Sequence, residues 1–371
     1  MRVSLRSNPV LVPSTCTARQ IQKQGITKGK ITAKKGLNSI HSLIFCNPVS
    51  APRLPLQFAQ PTSQWNWTLQ HPQRRVTMAS SPDIPGLKYA SHQYGQHQLQ
   101  QVGVWQFEEP ETAPSTPAYW IIFVHGGGWR DPRNNINDFV PSIKHMLALD
   151  DLPKSAVRGF ASLDYRLSPH PRFPQDPTST PANEFRQAQH PHHVQDVLAA
   201  LRFLNAEYGI GNDYVLIGHS AGGTLVHQVI MNSGISDSWG PVAPFPAALI
   251  SIAGIHHLRG IVDRHDTFYE TFVIDAFGPD RLAWDAASPA KFPGSFKTLC
   301  PEFPRLFILA ASTEDTAIDM PELDIMEAKL IKDGITPLVF RNLHLEHDNI
   351  WEDGSQVATL AARAVAELQQ R

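Results

Sequence analysis

The chain has 371 residues, 42% of them hydrophobic, enough to bury one large α/β core, and a formal net charge of −2. That charge is unevenly spread: Met1 to Pro82 contains no Asp or Glu and carries +11, which leaves −13 for the remainder. An acidic main body makes nucleic acid an unexpected partner. The lack of any apolar run of roughly 18 residues excludes a helical membrane span, and Cys300, the single cysteine after Pro82, excludes a disulfide there.

The first 80 residues are rich in Pro, Ser, Gln and Lys and show no helical or strand period, so they read as a basic, disordered extension. Two origins fit. Abundant Arg and Ser without acids is the composition of a mitochondrial transit peptide. Alternatively, the upstream stretch is a tail or a start assigned too early, because the composition changes at Met78. The second origin goes with a cytoplasmic protein, which is the reading preferred here. The sequon at Asn66 follows no signal-peptide leader and carries little weight.

Residues 81–371 are expected to form the catalytic domain, with strands and helices alternating as a doubly wound, mostly parallel sheet requires. Strands are predicted at Tyr119 to Val124, Phe160 to Leu167, Tyr214 to Gly218, Ala247 to Ile255, Pro304 to Ala311 and Thr336 to Leu343. Helices are predicted at His193 to Tyr208, where Val194, Val197, Leu198, Leu201 and Leu204 share a face, and at Thr224 to Met231, Pro321 to Lys332 and Gln356 to Gln370. Between Ile255 and Pro304 the alternation is lost while Trp, Phe, Tyr and Pro accumulate, which suits a cap inserted over a site.

Gly218-His219-Ser220-Ala221-Gly222 is a G-x-S-x-G pattern between a predicted strand and a predicted helix. In that context it reads as the nucleophile elbow of an α/β-hydrolase fold. Small neighbours permit the tight turn, and the helix N-terminus lies beneath the developing charge. Upstream, the strand ending at Val124 runs into His125-Gly126-Gly127-Gly128-Trp129. Acyl transfer through a tetrahedral intermediate needs backbone N–H donors, assigned here to Gly127, Gly128 and Ala221. A phosphate-binding loop is excluded, because no Lys-Ser or Lys-Thr follows. His125 is expected to brace the loop.

In this fold the acid and then the base follow the serine along the chain. Asp315 is the preferred acid, with Glu314 and Asp319 as rivals; His347, further out on its loop than His344, is the preferred base. His190, His192 and His193 lack metal-ligand spacing and are read as exposed histidines at a helix start, so neither a metal nor any other cofactor is expected.

With these residues in place, the chain from about Tyr89 onward resembles the fungal type of kynurenine formamidase (arylformamidase). The resemblance is carried by His125-Gly-Gly-Gly-Trp129 as the HGGxW motif, by Gly218-His-Ser-Ala-Gly222, by Ser312-Thr-Glu-Asp315 and by His347-Asp-Asn-Ile-Trp351. Asp164-Tyr-Arg-Leu-Ser-Pro169 is shared with general carboxylesterases and discriminates poorly. The resemblance implies hydrolysis of N-formyl-L-kynurenine, a small-molecule substrate, to kynurenine and formate in tryptophan breakdown, a route that feeds NAD synthesis. Trp129 is a candidate aromatic wall or a packing residue under the loop. The rival readings are a short-chain carboxylesterase or lipase of the hormone-sensitive type and a non-catalytic ligand-binding member of the fold. A homodimer is left open.

Overall fold

The computed structural model describes residues 83–108, 117–234, 239–265, 267–299, 302 and 306–371. The chain divides into two units, Met1–Asn66 and Trp67–Arg371, and the described residues all belong to the second. The extension predicted over the first 80 residues lies outside them.

Eight strands form one sheet: β1 (Leu87–Gln93), β2 (Gln101–Phe107), β3 (Tyr119–Val124), β4 (Val157–Leu163), β5 (Tyr214–His219), β6 (Ala248–Ile252), β7 (Leu306–Ser312) and β8 (Leu338–Leu343). They lie in the order β1-β2-β4-β3-β5-β6-β7-β8. The β1–β2 and β2–β4 pairs are antiparallel, and the five pairs from β4–β3 to β7–β8 are parallel.

Every residue of β3, β5, β6 and β7 is buried, as parallel strands covered on both faces must be. Because side chains alternate across a strand, Trp120, Ile122, Tyr214, Leu216 and Leu249 join one core, while Ile121, Phe123, Val215, Ile217 and Ile250 join the other. Helices α1 (Val140–Ala148), α2 (His192–Tyr208) and α3 (Ala221–Met231) follow in chain order. The β6–β7 connection carries α4 (Leu258–Arg264), α5 (Thr267–Phe277), α6 (Arg281–Ala287) and α7 (Phe296–Leu299), and α8 (Met320–Lys332), α9 (Asn349–Asp353) and α10 (Ser355–Gln369) complete the set. The first core packs beneath α2 and α3, and the second beneath α1 and α10.

The expected insertion is thus helical, and α5 turns Phe268, Tyr269 and Phe272 towards Ser220. Two strands end three or more residues before the sequence-based expectation. β4 stops at Leu163 rather than Leu167, because Tyr165 and Leu167 are buried against α2 residues outside the sheet. β6 stops at Ile252, where Ala253 turns with φ 48°.

The order of the strands places the site. β4 lies on one side of β3 and β5 on the other, so the chain direction of the winding reverses between β3 and β5. The loops leaving their C-terminal ends therefore flank one crevice. These loops begin at His125 and Ser220.

Candidate active site

Ser220 stands between the end of β5 and the start of α3 with φ 54° and ψ −121°. Such backbone costs a non-glycine residue about 1–3 kcal/mol and survives only where its surroundings impose it. Here the Ser220 N–H donates to the Ile252 carbonyl at 2.9 Å, and the Ser220 carbonyl accepts from the Gly223 N–H at 2.8 Å. A Cβ at Gly218 would run into the Gly222 carbonyl, and one at Gly222 into the carbonyl of Val124. The two glycines thus let the helix start directly above the strand and beside the loop of β3. Ser220 Oγ has no hydrogen-bond partner among the described residues and faces the cleft.

The loop after β3 turns through Gly127 (φ 81°), Gly128 (φ 56°) and Trp129 (φ 60°). The Tyr165 hydroxyl donates to the carbonyls of His125 (3.1 Å) and Gly126 (3.0 Å), and the Tyr165 ring stacks on His125 at 4.4 Å. In a trans peptide the carbonyl and the following N–H point in opposite directions. Anchoring the Gly126 carbonyl therefore turns the Gly127 N–H away from Tyr165. The Gly127 carbonyl is held by the N–H groups of Arg130 (3.1 Å) and Asp131 (2.9 Å), which turns the Gly128 N–H outward in the same way. Neither glycine N–H finds an acceptor among the described residues, and both glycines line the cleft with Ser220. The Ala221 N–H, first in its helix, has no intrahelical acceptor either.

His125 braces this loop. Burial lowers its pKa to about 4 and raises that of Asp164, 3.7 Å away, to about 8, disfavouring the charged form of each. Trp129 is fully buried, edge-on to Phe277 at 4.9 Å, and forms no part of the cleft wall. Of its two expected roles, it takes the packing one.

Asp315 and His347 come together: Nδ1 of His347 lies 2.7 Å from Oδ2 of Asp315. The other carboxylate oxygen accepts from the N–H groups of Ala317 and Ile318, both at 2.8 Å, so the carboxylate is clamped in its turn. Burial alone would lower the His347 pKa. The Asp315 charge and hydrogen bond override it and raise the value to about 8. Burial likewise works against the Asp315 charge, yet His347 and the two N–H donors hold its pKa below the ordinary carboxylate value. The rival residues are engaged elsewhere. Glu314 accepts from the Leu345 N–H and pairs at 3.4 Å with His344, which points outward and is exposed rather than packed. Asp319 is bound by Arg264 and His265 of the cap.

Ser220, His347, Gly127 and Gly128 share a cleft of about 310 Å³. Phe268, Tyr269, Phe272, Ile255 and Ile318 supply apolar lining, and Arg130, Asp131, Asn134, His170 and Arg172 polar lining. Among the described residues no hydrogen bond joins Ser220 Oγ to His347.

Residues 121–367 match the family described as "Alpha/beta hydrolase family". Over 282 residues the chain is 32% identical to a kynurenine formamidase-like hydrolase, fscH, of Fusarium equiseti, covering 73% of this chain and 90% of that one. The identity is 31% over 258 residues to kynurenine formamidase avaC of Aspergillus versicolor, covering 64% and 85%. The chain belongs to the kynurenine formamidase family of alpha/beta hydrolases. It is a hydrolase. The fold is also that of esterase B from Lactobacillus rhamnosis (TM-score 0.57, 15% identity, 77% and 87% of the two chains) and of an esterase/lipase from an uncultured bacterium (0.54, 16%, 78% and 87%). At such identity the likeness concerns the fold alone.

In this family member several supporting residues lie in the Asp164–Pro169 stretch, which sequence reading set aside as undiscriminating. Tyr165 orients the glycine loop, and the Ser168 N–H donates to the Trp129 carbonyl at 2.9 Å. The Ser168 hydroxyl in turn binds the Ala188 carbonyl at 2.8 Å and meets His193 Nε2 at 3.1 Å. The histidine group therefore needs a correction. His192 is exposed, but His193 is buried and His190 packs on Trp239 and Phe277, with burial lowering the pKa of both. His193 is part of the packing that holds the loop. The stretch after β4, Asp164-Tyr-Arg-Leu-Ser-Pro169, mixes charged and apolar residues and carries no local signal of this role.

Proposed function

We propose that this hydrolase cleaves N-formyl-L-kynurenine to L-kynurenine and formate, a step of tryptophan breakdown, with Ser220 as nucleophile, His347 as general base and acid, and Asp315 as the residue that orients His347. The reading rests above all on the clamped Asp315–His347 pair opening onto the same cleft as the strained, unpaired Ser220. Names of the fungal relatives support the substrate. In the first step His347 Nε2 takes the Ser220 hydroxyl proton as Oγ bonds to the formyl carbon. The oxyanion is received by the N–H groups of Gly127, Gly128 and Ala221. His347 then returns the proton to the aryl nitrogen, the C–N bond breaks and kynurenine leaves. Water, deprotonated by His347, attacks the formyl ester on Ser220; as the ester C–O bond breaks, His347 returns the proton to Ser220 Oγ and formate leaves. A formyl carbon is uncrowded, and an arylamine leaves more readily than an alkylamine. None of these steps calls for a cofactor.

The test compares kcat/KM for N-formyl-L-kynurenine with that for p-nitrophenyl acetate. Preference for the formamide is expected, and a strong preference for the simple ester would overturn the reading in favour of a carboxylesterase. The proposal also assigns catalysis to the chain from residue 81 onward and the protein to the cytoplasm. Among the described residues no helix is long and apolar enough to cross a membrane.

A pH profile follows from His347. As base it must be neutral, and its pKa stands at about 8, so kcat/KM, which reports the free enzyme, should climb as pH rises through about 8. The ion pair's contribution to stability runs the other way: it is complete below the unfolded histidine pKa near 6.5 and is lost as pH rises through about 8. A stopped assay from pH 6 to 10 checks the first; a rate already flat across pH 7 to 9 would remove His347 from the role of base.

A further inference from the structure

Arg130 follows the glycine loop and lines the cleft, yet its side chain is only 6% exposed. Nη1 donates to Asp275 of α5 at 2.7 Å, and the guanidinium carbon lies 5.7 Å from the ring centres of both Phe268 and Phe272. A guanidinium has five N–H donors. No second acceptor for this one exists among the described residues, and none of its nitrogens is among the buried atoms left without a partner. The remaining donors are therefore open to the cleft. The surroundings favour an anion. Arg172, in the same lining, lies near enough to act against the Arg130 charge; His170 beside them is held to a pKa of about 4, chiefly by burial. Of the two acids in the lining, Asp131 is taken by Arg133 through both carboxylate oxygens, and Asp348 accepts from Trp351 Nε1 at 3.4 Å.

We propose that Arg130 is a specificity-determining residue that binds the carboxylate of an aromatic amino-acid substrate whose aryl ring lies against Phe268 and Phe272. The inference rests on the formamidase reading and sharpens it: what the cleft selects is a formamide carried on an aryl group whose tail bears a carboxylate. Asp275 accepts from one guanidinium nitrogen, and the two phenylalanines beside it favour a planar cation over an ammonium.

The decisive measurement is kcat/KM for N-formyl-L-kynurenine and for formanilide, which shares the scissile bond and lacks the carboxylate, in wild type, Arg130→Gln and Arg130→Lys. The ratio of the two should fall about 10- to 100-fold in Arg130→Gln, the scale of a charge-assisted hydrogen bond. The change should lie mainly in KM, with partial recovery in Arg130→Lys. An unchanged ratio overturns the inference. Should Arg130→Gln fail to fold, the wild type decides: L-kynurenine should inhibit hydrolysis of p-nitrophenyl acetate about tenfold more tightly than its decarboxylated analogue, and equal inhibition overturns the carboxylate site. Failure of the formamidase reading has a different signature, namely no turnover of N-formyl-L-kynurenine by wild type. The arginine is then judged by mono-p-nitrophenyl glutarate against p-nitrophenyl butyrate: a preference for the carboxylate ester lost in Arg130→Gln upholds it, and no preference overturns it.

Discussion

Ser220→Ala should lower turnover of N-formyl-L-kynurenine by about 10⁵- to 10⁶-fold, on the scale seen when a hydrolase nucleophile is removed. The fold should tolerate the change. Ser220 Oγ makes no hydrogen bond within the described protein, so its loss orphans no partner, and alanine meets the same positive-φ cost that serine already bears. Residual hydrolysis would come from the unpaired N–H groups of Gly127, Gly128 and Ala221, which the substitution leaves in place. The measurement is a rate with wild-type and variant at matched concentration, beside a thermal melt. Activity within tenfold of wild type in a folded variant would mean that Ser220 is not the nucleophile.

Asp315→Asn should cost about 10⁴-fold in kcat. Asparagine can still accept from the N–H groups of Ala317 and Ile318 through its remaining oxygen, so the turn before α8 is kept. The other arm, however, now presents an amide where Oδ2 received His347 Nδ1 at 2.7 Å. An amide N–H in that position favours the tautomer with the proton on Nε2, and such a histidine cannot accept the serine proton. The second consequence concerns pH. The Asp315 charge is what lifts His347 above its ordinary pKa against the effect of burial, so in Asp315→Asn the rising limb of the residual activity should move to lower pH. A variant with wild-type kcat would exclude Asp315, and attention would pass to Glu314 despite its outward pairing with His344.

Much of this site could be read before any coordinates, because its parts obey local rules. A serine at positive φ between strand and helix demands small neighbours on both sides, and Gly218 and Gly222 satisfy that demand within five residues. The continuous apolar runs of β3, β5 and β7 announce strands covered on both faces. By contrast, β1 carries little hydrophobic signal, because it is the antiparallel edge strand with one buried residue and a polar outer side. The end of β4 was misplaced because Tyr165 and Leu167 are as buried as strand residues while serving a loop. Burial leaves a hydrophobic signature whichever element provides it.

Legible along the chain were the candidate nucleophile, the candidate glycine donors, the candidate acid and base in their order, and the insertion before β7. Each is a property of neighbouring residues or of chain order. The winding of the chain sets which rivals stay apart: Asp315 meets His347, Glu314 turns outward to His344, and Asp319 is tied to Arg264. It also decided that Trp129 is packing, that Tyr165 aims the Gly127 N–H by holding the carbonyl before it, and that Arg130 shares the cleft with Phe268 and Phe272. Those partners are separated by tens to well over a hundred residues, and no local pattern encodes which side chains the winding of the sheet brings within hydrogen-bond reach.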